Sequence, residues 1–219
     1  MDDVMDKKLE KLKLPHIVLL DTSVMLEQGQ TGNLIKEHEK SFYNESTISF
    51  ARSHGDEMLD VLSGHLNCDV KISIGKVINN AGEGSVMAFS HGLNWAAELY
   101  PDIVVIPTGI EEANSSIKAA LEILENTHCR IFASVGNCAD DQYGCLYPAA
   151  YPECISVGSS GSQRDYNDWA KKPDIIVNSD KAISGTLTVK QFDTAGATML
   201  AVAEYVNHNF LRDRLSASS

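Results

Sequence analysis

The chain has few basic residues for its size, because 18 Lys and Arg stand against 30 Asp and Glu among its 219 residues and the net charge is −12. A nucleic-acid groove needs Lys and Arg to neutralise phosphates, so this balance argues against a nucleic-acid partner. Anionic membrane surfaces attract basic segments for the same reason. The charge therefore also argues against a membrane partner.

Long apolar segments are missing as well. No run of about eighteen apolar residues occurs, so no membrane span is predicted. The amino-terminal residues MDDVMDKKLEKLKLPH contain no apolar stretch of signal-peptide length. We therefore expect a cytoplasmic protein.

The five cysteines are odd in number and not densely spaced, which is typical of a reduced compartment. Cys138, Cys145 and Cys154 lie close together in sequence and are candidates for a metal site. Their spacing lacks the paired short gaps of a zinc site, so ordinary thiols are the favoured interpretation. Neither a metal nor a cofactor is expected.

Short apolar runs alternate with amphipathic segments along the chain. Continuous apolar runs predict buried strands, and apolar residues repeating at helical spacing predict helices. The predicted strands cover residues 17–21, 69–77, 102–109, 130–137, 153–160 and 174–178, and the predicted helices cover 54–66, 85–99, 114–127 and 189–211. This alternation predicts one α/β domain with a mostly parallel sheet and helices on both faces.

Three polar residues stand where such a fold places its chemistry. Asp21 ends the first predicted strand, His54 begins the first predicted helix, and Asn137 ends the strand RIFASVGN. An acid can hold a histidine tautomer, a histidine can act as a base, and a carboxamide can donate to an oxyanion. Each residue alone is usually a cap, turn or surface group. Their order along the chain, followed by the turn at residues 184–186, is a more specific indication of a catalytic site than any one of these residues alone.

These segments resemble the motifs of the subtilisin-like serine proteases, the subtilases. LLDTSV around Asp21 resembles the aspartate motif, SHGDEML around His54 the histidine motif, and ASVGNCADD around Asn137 the oxyanion motif. The stretches YPAAYPECISVGSS, KPDIIV and SGTLTVKQFDTAGATMLA resemble further family segments. The resemblance implies a three-layer subtilisin-like fold over residues 1–219 and a triad acid at Asp21. The residues before Asp21 are too few for an inhibitory propeptide domain, so we expect only a short extension at residues 1–15.

The nucleophile position departs from the family pattern. Counting forward from residues 185–186 places Leu187 there, whereas counting backward from residues 195–196 places Thr188 there. Leucine has no nucleophilic atom, and the extra methyl of threonine crowds the attack of its hydroxyl. The proline that usually follows the nucleophile is also absent.

The strand that resembles the family's substrate-binding strand reads Pro107, Thr108, Gly109 where the family usually has Ser-Leu-Gly. Pro107 has no N–H for a peptide substrate, whereas Gly109 keeps room for close approach. Thr108 and Gly109 are therefore the candidate substrate-binding residues.

Two functions stay open on the sequence. The favoured one is a catalytically impaired homologue that binds an extended peptide or protein segment, with an active protease or a peptide-maturation protein as a possible partner. The alternative is an active intracellular peptidase that uses an unusual hydroxyl nucleophile.

Overall fold

The computed structural model describes residues 14–43, 52–79, 81–137, 144–160, 166, 172–178 and 193–216, with side chains of the last helix described as far as residue 210. The described elements, in chain order, are β1 (His16–Asp21), β2 (Gly29–Thr31), β3 (Leu34–Ser41), α1 (His54–His65), β4 (Val70–Lys76), α2 (Val86–Glu98), β5 (Ile103–Ile106), α3 (Ser115–Asn126), β6 (Arg130–Ser134), β7 (Ile155–Ser159), β8 (Ile175–Val177) and α4 (Asp193–Ser216).

The strands form one sheet in the order β2-β3-β4-β1-β5-β6-β7-β8. Every neighbouring pair is parallel except the β2–β3 hairpin. The central strands are buried on both faces, which explains their continuous apolar sequences. The predicted α/β fold with a mostly parallel sheet is confirmed.

Helices cover both faces of the sheet, and successive residues of β1 show how. Ile17 and Leu19 pack in the core under α1 and α4, whereas Val18 and Leu20 pack in the core under α2 and α3. The alternation follows from the two-residue period of a strand. The result is a three-layer arrangement with one hydrophobic core on each side of the sheet.

The crossover through α1 differs in hand from the crossovers through α2 and α3. All three connections step in the same direction along the sheet, from β3 to β4, β4 to β5 and β5 to β6. The helix α1 nevertheless lies on the opposite face from α2 and α3. Parallel crossovers that step the same way along a sheet and share one hand place their helices on the same face. The crossover through α1 therefore has the opposite hand from the crossovers through α2 and α3.

The structure differs from the predicted elements mainly at their ends. The predicted strand at 102–109 ends at Ile106, before Pro107, and the predicted strand at 130–137 ends at Ser134. The last helix is described from Asp193 onward, so the predicted start at residue 189 lies outside the described residues. Within the described part of the chain, no helix is both long and apolar enough to cross a bilayer.

Candidate active site

Asp21 and His54 meet at the carboxyl edge of the sheet. The Nδ1 atom of His54 lies 2.8 Å from Oδ2 and 2.9 Å from Oδ1 of Asp21. The Asp21 side chain is fully buried, whereas 36% of the His54 side chain is exposed. The N–H of Thr22 donates to Oδ1 of Asp21 at 2.6 Å, which fixes the carboxylate further. With Nδ1 held by the acid, Nε2 is the ring atom left for a reacting group.

The first turn of α1 is tied to the loop after β1, and this connection places His54. Ser53 caps the helix, and its capping box is completed by the Asp56 carboxylate. The N–H of Gly55 donates to Thr22 Oγ1 at 2.8 Å, and the N–H of Met25 donates to Asp56 Oδ1 at 2.6 Å. Asp56 departs from the family's histidine motif, and these contacts give it a structural role.

Gly55 is needed because α1 approaches the end of β1 very closely. A Cβ atom at this position would lie 2.8 Å from Val24 Cγ1 and 3.2 Å from the carbonyl oxygen of Thr22. A larger residue would therefore push the start of α1, with His54, away from Asp21. The roles of Thr22 and Ser53 were not predicted from the sequence, although the Ser53-x-x-Asp56 spacing is a helix-start signal.

The electrostatics of the pair favour a charged imidazole. Burial lowers the pKa of His54, but the hydrogen bond and negative charge of Asp21, together with the charge of Glu57, raise the pKa above the ordinary value of 6.5. The folded state therefore binds the His54 proton more tightly than the unfolded state does. The stability from this proton is complete below about pH 6.5 and is lost as the pH rises through the raised pKa of the folded state.

Replacement of Asp21 by Asn is expected to lower the pKa of His54, because burial remains while the carboxylate charge is removed. NMR titration of the His54 ring protons measures the shift, and the loss of stability above pH 6.5 should become smaller in the variant. Asp60→Asn is the matched control, because Asp60 lies on the same helix and pairs with Arg52. An unchanged pKa of His54 in Asp21→Asn would contradict the conclusion that the Asp21 carboxylate raises the pKa of His54.

Asn137 contacts the start of α4. Its Oδ1 accepts a hydrogen bond from the Thr194 hydroxyl at 2.8 Å and another from the Thr194 N–H at 3.2 Å. The carboxamide oxygen therefore satisfies a first-turn N–H of the helix and is turned toward α4. Leu187, Thr188 and the turn at 184–186 lie outside the described residues.

Thr108 and Gly109 follow β5, the strand that lies next to β1 in the sheet, and both residues are half-buried. The space beside Gly109 is filled by the chain itself, because a Cβ there would lie 2.7 Å from the Tyr147 carbonyl oxygen and 2.9 Å from Leu146 Cβ. Leu146 was not predicted to contact Gly109, and no local feature of the sequence marks this contact.

The candidate thiol cluster is only partly described. Cys145 and Cys154 are buried, and Cys138 lies outside the described residues. In the ranges that the structure covers, no three His, Cys, Asp or Glu side chains are grouped as metal ligands would be.

Comparisons with known proteins agree with the fold. Subtilisin DY from Bacillus licheniformis is 24% identical over 181 residues, which span 74% of this chain and 66% of the relative. Thermitase from Thermoactinomyces vulgaris is 23% identical over 188 residues, which span 82% of this chain and 66% of the relative. The matched segments thus span slightly less than two thirds of these relatives.

Solved structures show the same fold at low identity. A cold-adapted subtilisin-like serine proteinase superposes with a TM-score of 0.64 at 18% identity, over 89% of this chain and 76% of that chain. The protease domain of PatA superposes with a TM-score of 0.67 at 17% identity, over 92% of this chain and 81% of that chain. The sequence model of the subtilase family matches residues 39–207. The chain therefore belongs to the subtilase family.

Proposed function

We propose that the protein is a catalytically impaired subtilase homologue that binds an extended peptide or protein segment. The observation that carries the proposal is the absence of serine from residues 185–196, where counting from the flanking motif residues places the nucleophile at Leu187 or Thr188. A base at His54 needs a hydroxyl within about 3 Å of its nitrogen to create a nucleophile. Leu187 offers no hydroxyl at all.

The large loss of turnover expected without a nucleophile serine favours a binding function over a catalytic one. In subtilisin, loss of the nucleophile serine lowers turnover by about 10⁶-fold. The oxyanion hole and substrate binding alone retain about 10³ to 10⁴-fold over the reaction in water. A protein with that residual rate contributes little turnover, whereas its cleft can still hold a peptide.

A second candidate function is an active peptidase that uses Thr188. The specific observation in its favour is the short contact between Asp21 and His54, the arrangement that an activated hydroxyl would need. Threonine nucleophiles work where a suitable base is present.

Under the favoured proposal of an impaired homologue, the natural partner is a peptide, an active protease or a peptide-maturation protein.

Labelling with a fluorophosphonate probe, followed by mass spectrometry, separates the two candidates. The impaired homologue is expected to stay unlabelled, because no side chain at the nucleophile position reacts quickly with the probe. Thr188→Ala and His54→Ala are the matched controls. An adduct on Thr188 that disappears in both variants would overturn the proposal and establish the peptidase.

A further inference from the structure

A cavity lies between the outer face of α1, the β2–β3 hairpin and the loop after β1. Its volume is about 260 Å³. Leu26, Leu34 and Leu59 contribute apolar surface to its lining, whereas Asp56 and Asp60 contribute carboxylates. The volume is below the usual range of small-molecule sites, about 300 to 1,000 Å³. The cavity therefore suits side chains of a peptide segment better than a free small molecule.

The cavity follows the length of α1, and we call it the α1 groove. Four residues at the three- and four-residue spacing of one helix face line it: Asp56, Leu59, Asp60 and Ser63. This stripe covers about 10 Å of the helix axis. At its far end the hairpin turn lies against α1, because a Cβ on Gly32 would lie 3.5 Å from Ser63 Oγ.

The rim of the α1 groove is both apolar and acidic. Met25 lines it and is 62% exposed, which is unusual for a large apolar residue in the described part of the chain. The Arg52 guanidinium also lines the groove but is paired with Asp60. The Asp56 carboxylate adds a second negative charge to this pair. An occupant with apolar side chains and an excess of basic ones complements such a lining.

The chain carries a segment of this composition before β1. Residues 7–13, KKLEKLK, contain four lysines and one glutamate, which gives a net charge of +3. Their two leucines stand at positions 9 and 12. We call residues 7–13 the basic segment; it lies outside the described residues and joins them at residue 14.

The start of β1 lies close enough to the groove for the basic segment to reach it. The Pro15 carbonyl accepts from the Lys71 N–H at 2.9 Å, and the next N–H along the chain, that of Val70, donates to the Asn33 carbonyl at 2.9 Å. Leu34 therefore lies at the same edge of the sheet as the start of β1, two strands away in the order β3-β4-β1. Two strand spacings amount to about 10 Å. The seven residues of the segment span up to roughly 23 Å.

We propose that the basic segment docks in the α1 groove of its own chain, with Leu9 and Leu12 against the apolar lining and the lysines beside Asp56 and Asp60. A short tether gives the segment an effective concentration of the order of millimolar at the groove, so a second copy competes poorly. Because α1 begins at His54, docking along this helix restrains the element that carries the candidate base. The inference does not depend on peptide binding at the cleft.

Photo-crosslinking of the full chain tests the inference. p-Benzoylphenylalanine replaces Leu12 in one variant and Leu9 in another, and ¹⁵N-labelled and unlabelled chains are mixed before irradiation. Mass spectrometry is expected to find crosslinks within one chain, to residues 25–34 or 56–63. Crosslinks confined to other regions would overturn the inference. Crosslinks that join labelled to unlabelled chains would assign the groove to a second copy and would also overturn it.

Charge reversal tests the role of the lysines. Asp60→Lys is expected to lower the yield of these crosslinks at least about fivefold, because the lysines of the segment then meet a like charge. Glu122→Lys is the matched control, because Glu122 is also an exposed helix acid that pairs with a basic residue. An equal yield in the two variants would contradict the proposed contact.

Amide NMR supplies a second measurement without a photoreactive residue. Replacement of both Leu9 and Leu12 by serine is expected to shift the amide signals of Leu59 and Ser63, because the apolar contact is lost. The signals of Leu121 and Leu124 on α3 should stay unchanged, since α3 lies on the other face of the sheet. Unchanged signals along α1 would overturn the docking of the basic segment.

Discussion

Peptide hydrolysis is expected to be undetectable in the wild type and to become measurable in either Leu187→Ser or Thr188→Ser, but not in both, at roughly 10²-fold or more above the limit of detection. We expect only one of the two variants to respond, because the forward and backward counts assign the family's single nucleophile position to different residues. The variant with the correct position regains a base-activated nucleophile held by the Asp21–His54 pair. Hydrolysis of a fluorogenic alanine-rich peptide measures the rate.

The same serine substitution in a His54→Ala background is the control, and it should return the rate to the wild-type level. Dependence on His54 separates triad-like catalysis from a contaminating protease. Substantial wild-type hydrolysis that Thr188→Ala abolishes would instead support the active peptidase. Failure of both serine variants, with folding intact, would mean that the nucleophile position lies elsewhere or that the cleft no longer admits a scissile bond.

Truncation of Leu62 to Ala is expected to lower the free energy of unfolding by about 2–5 kcal/mol. Leu62 lies on α1 and is fully buried in the core between that helix and the sheet. Removal of its side chain leaves a cavity in addition to the lost transfer free energy. Because α1 also carries His54, the Asp21–His54 contact depends on this packing. Urea denaturation monitored by circular dichroism measures the change.

Ile123→Ala provides the matched control on α3. It also truncates a branched aliphatic side chain on a helix, but Ile123 is 50% exposed. Its effect should stay within about 0.5 kcal/mol, as for most surface substitutions. Equal effects of the two truncations would show that α1 does not pack against the sheet as described.

The strands at the centre of the sheet could be predicted, because burial on both faces requires continuous apolar runs such as the one at Ile17–Leu20. The hairpin of β2 and β3 was not predicted. The sequence LIKEHEKS of β3 is largely polar and has a register shift between Lys36 and His38, so neither a continuous run nor a clean alternation marks it. Pairing with β4, a contact distant in sequence, makes this segment a strand.

The sequence by itself determined the chemical identity of the site. The resemblance of the segments around Asp21 and His54 to the subtilase motifs predicted a triad acid at Asp21, and the structure places that carboxylate against the His54 ring. The absence of serine from residues 185–196 is likewise a property of the sequence alone.

The tertiary structure alone decided what surrounds these residues. It joins Asn137 to Thr194, which is 57 positions away along the chain, and places Leu146 against Gly109 and Gly136. Local propensity carries no information about such contacts, because they depend on which strand ends separate and which segment enters between them. The contacts around Asn137 and Gly109 are therefore set by packing between distant segments, whereas the residue types of the candidate site are already fixed by the sequence.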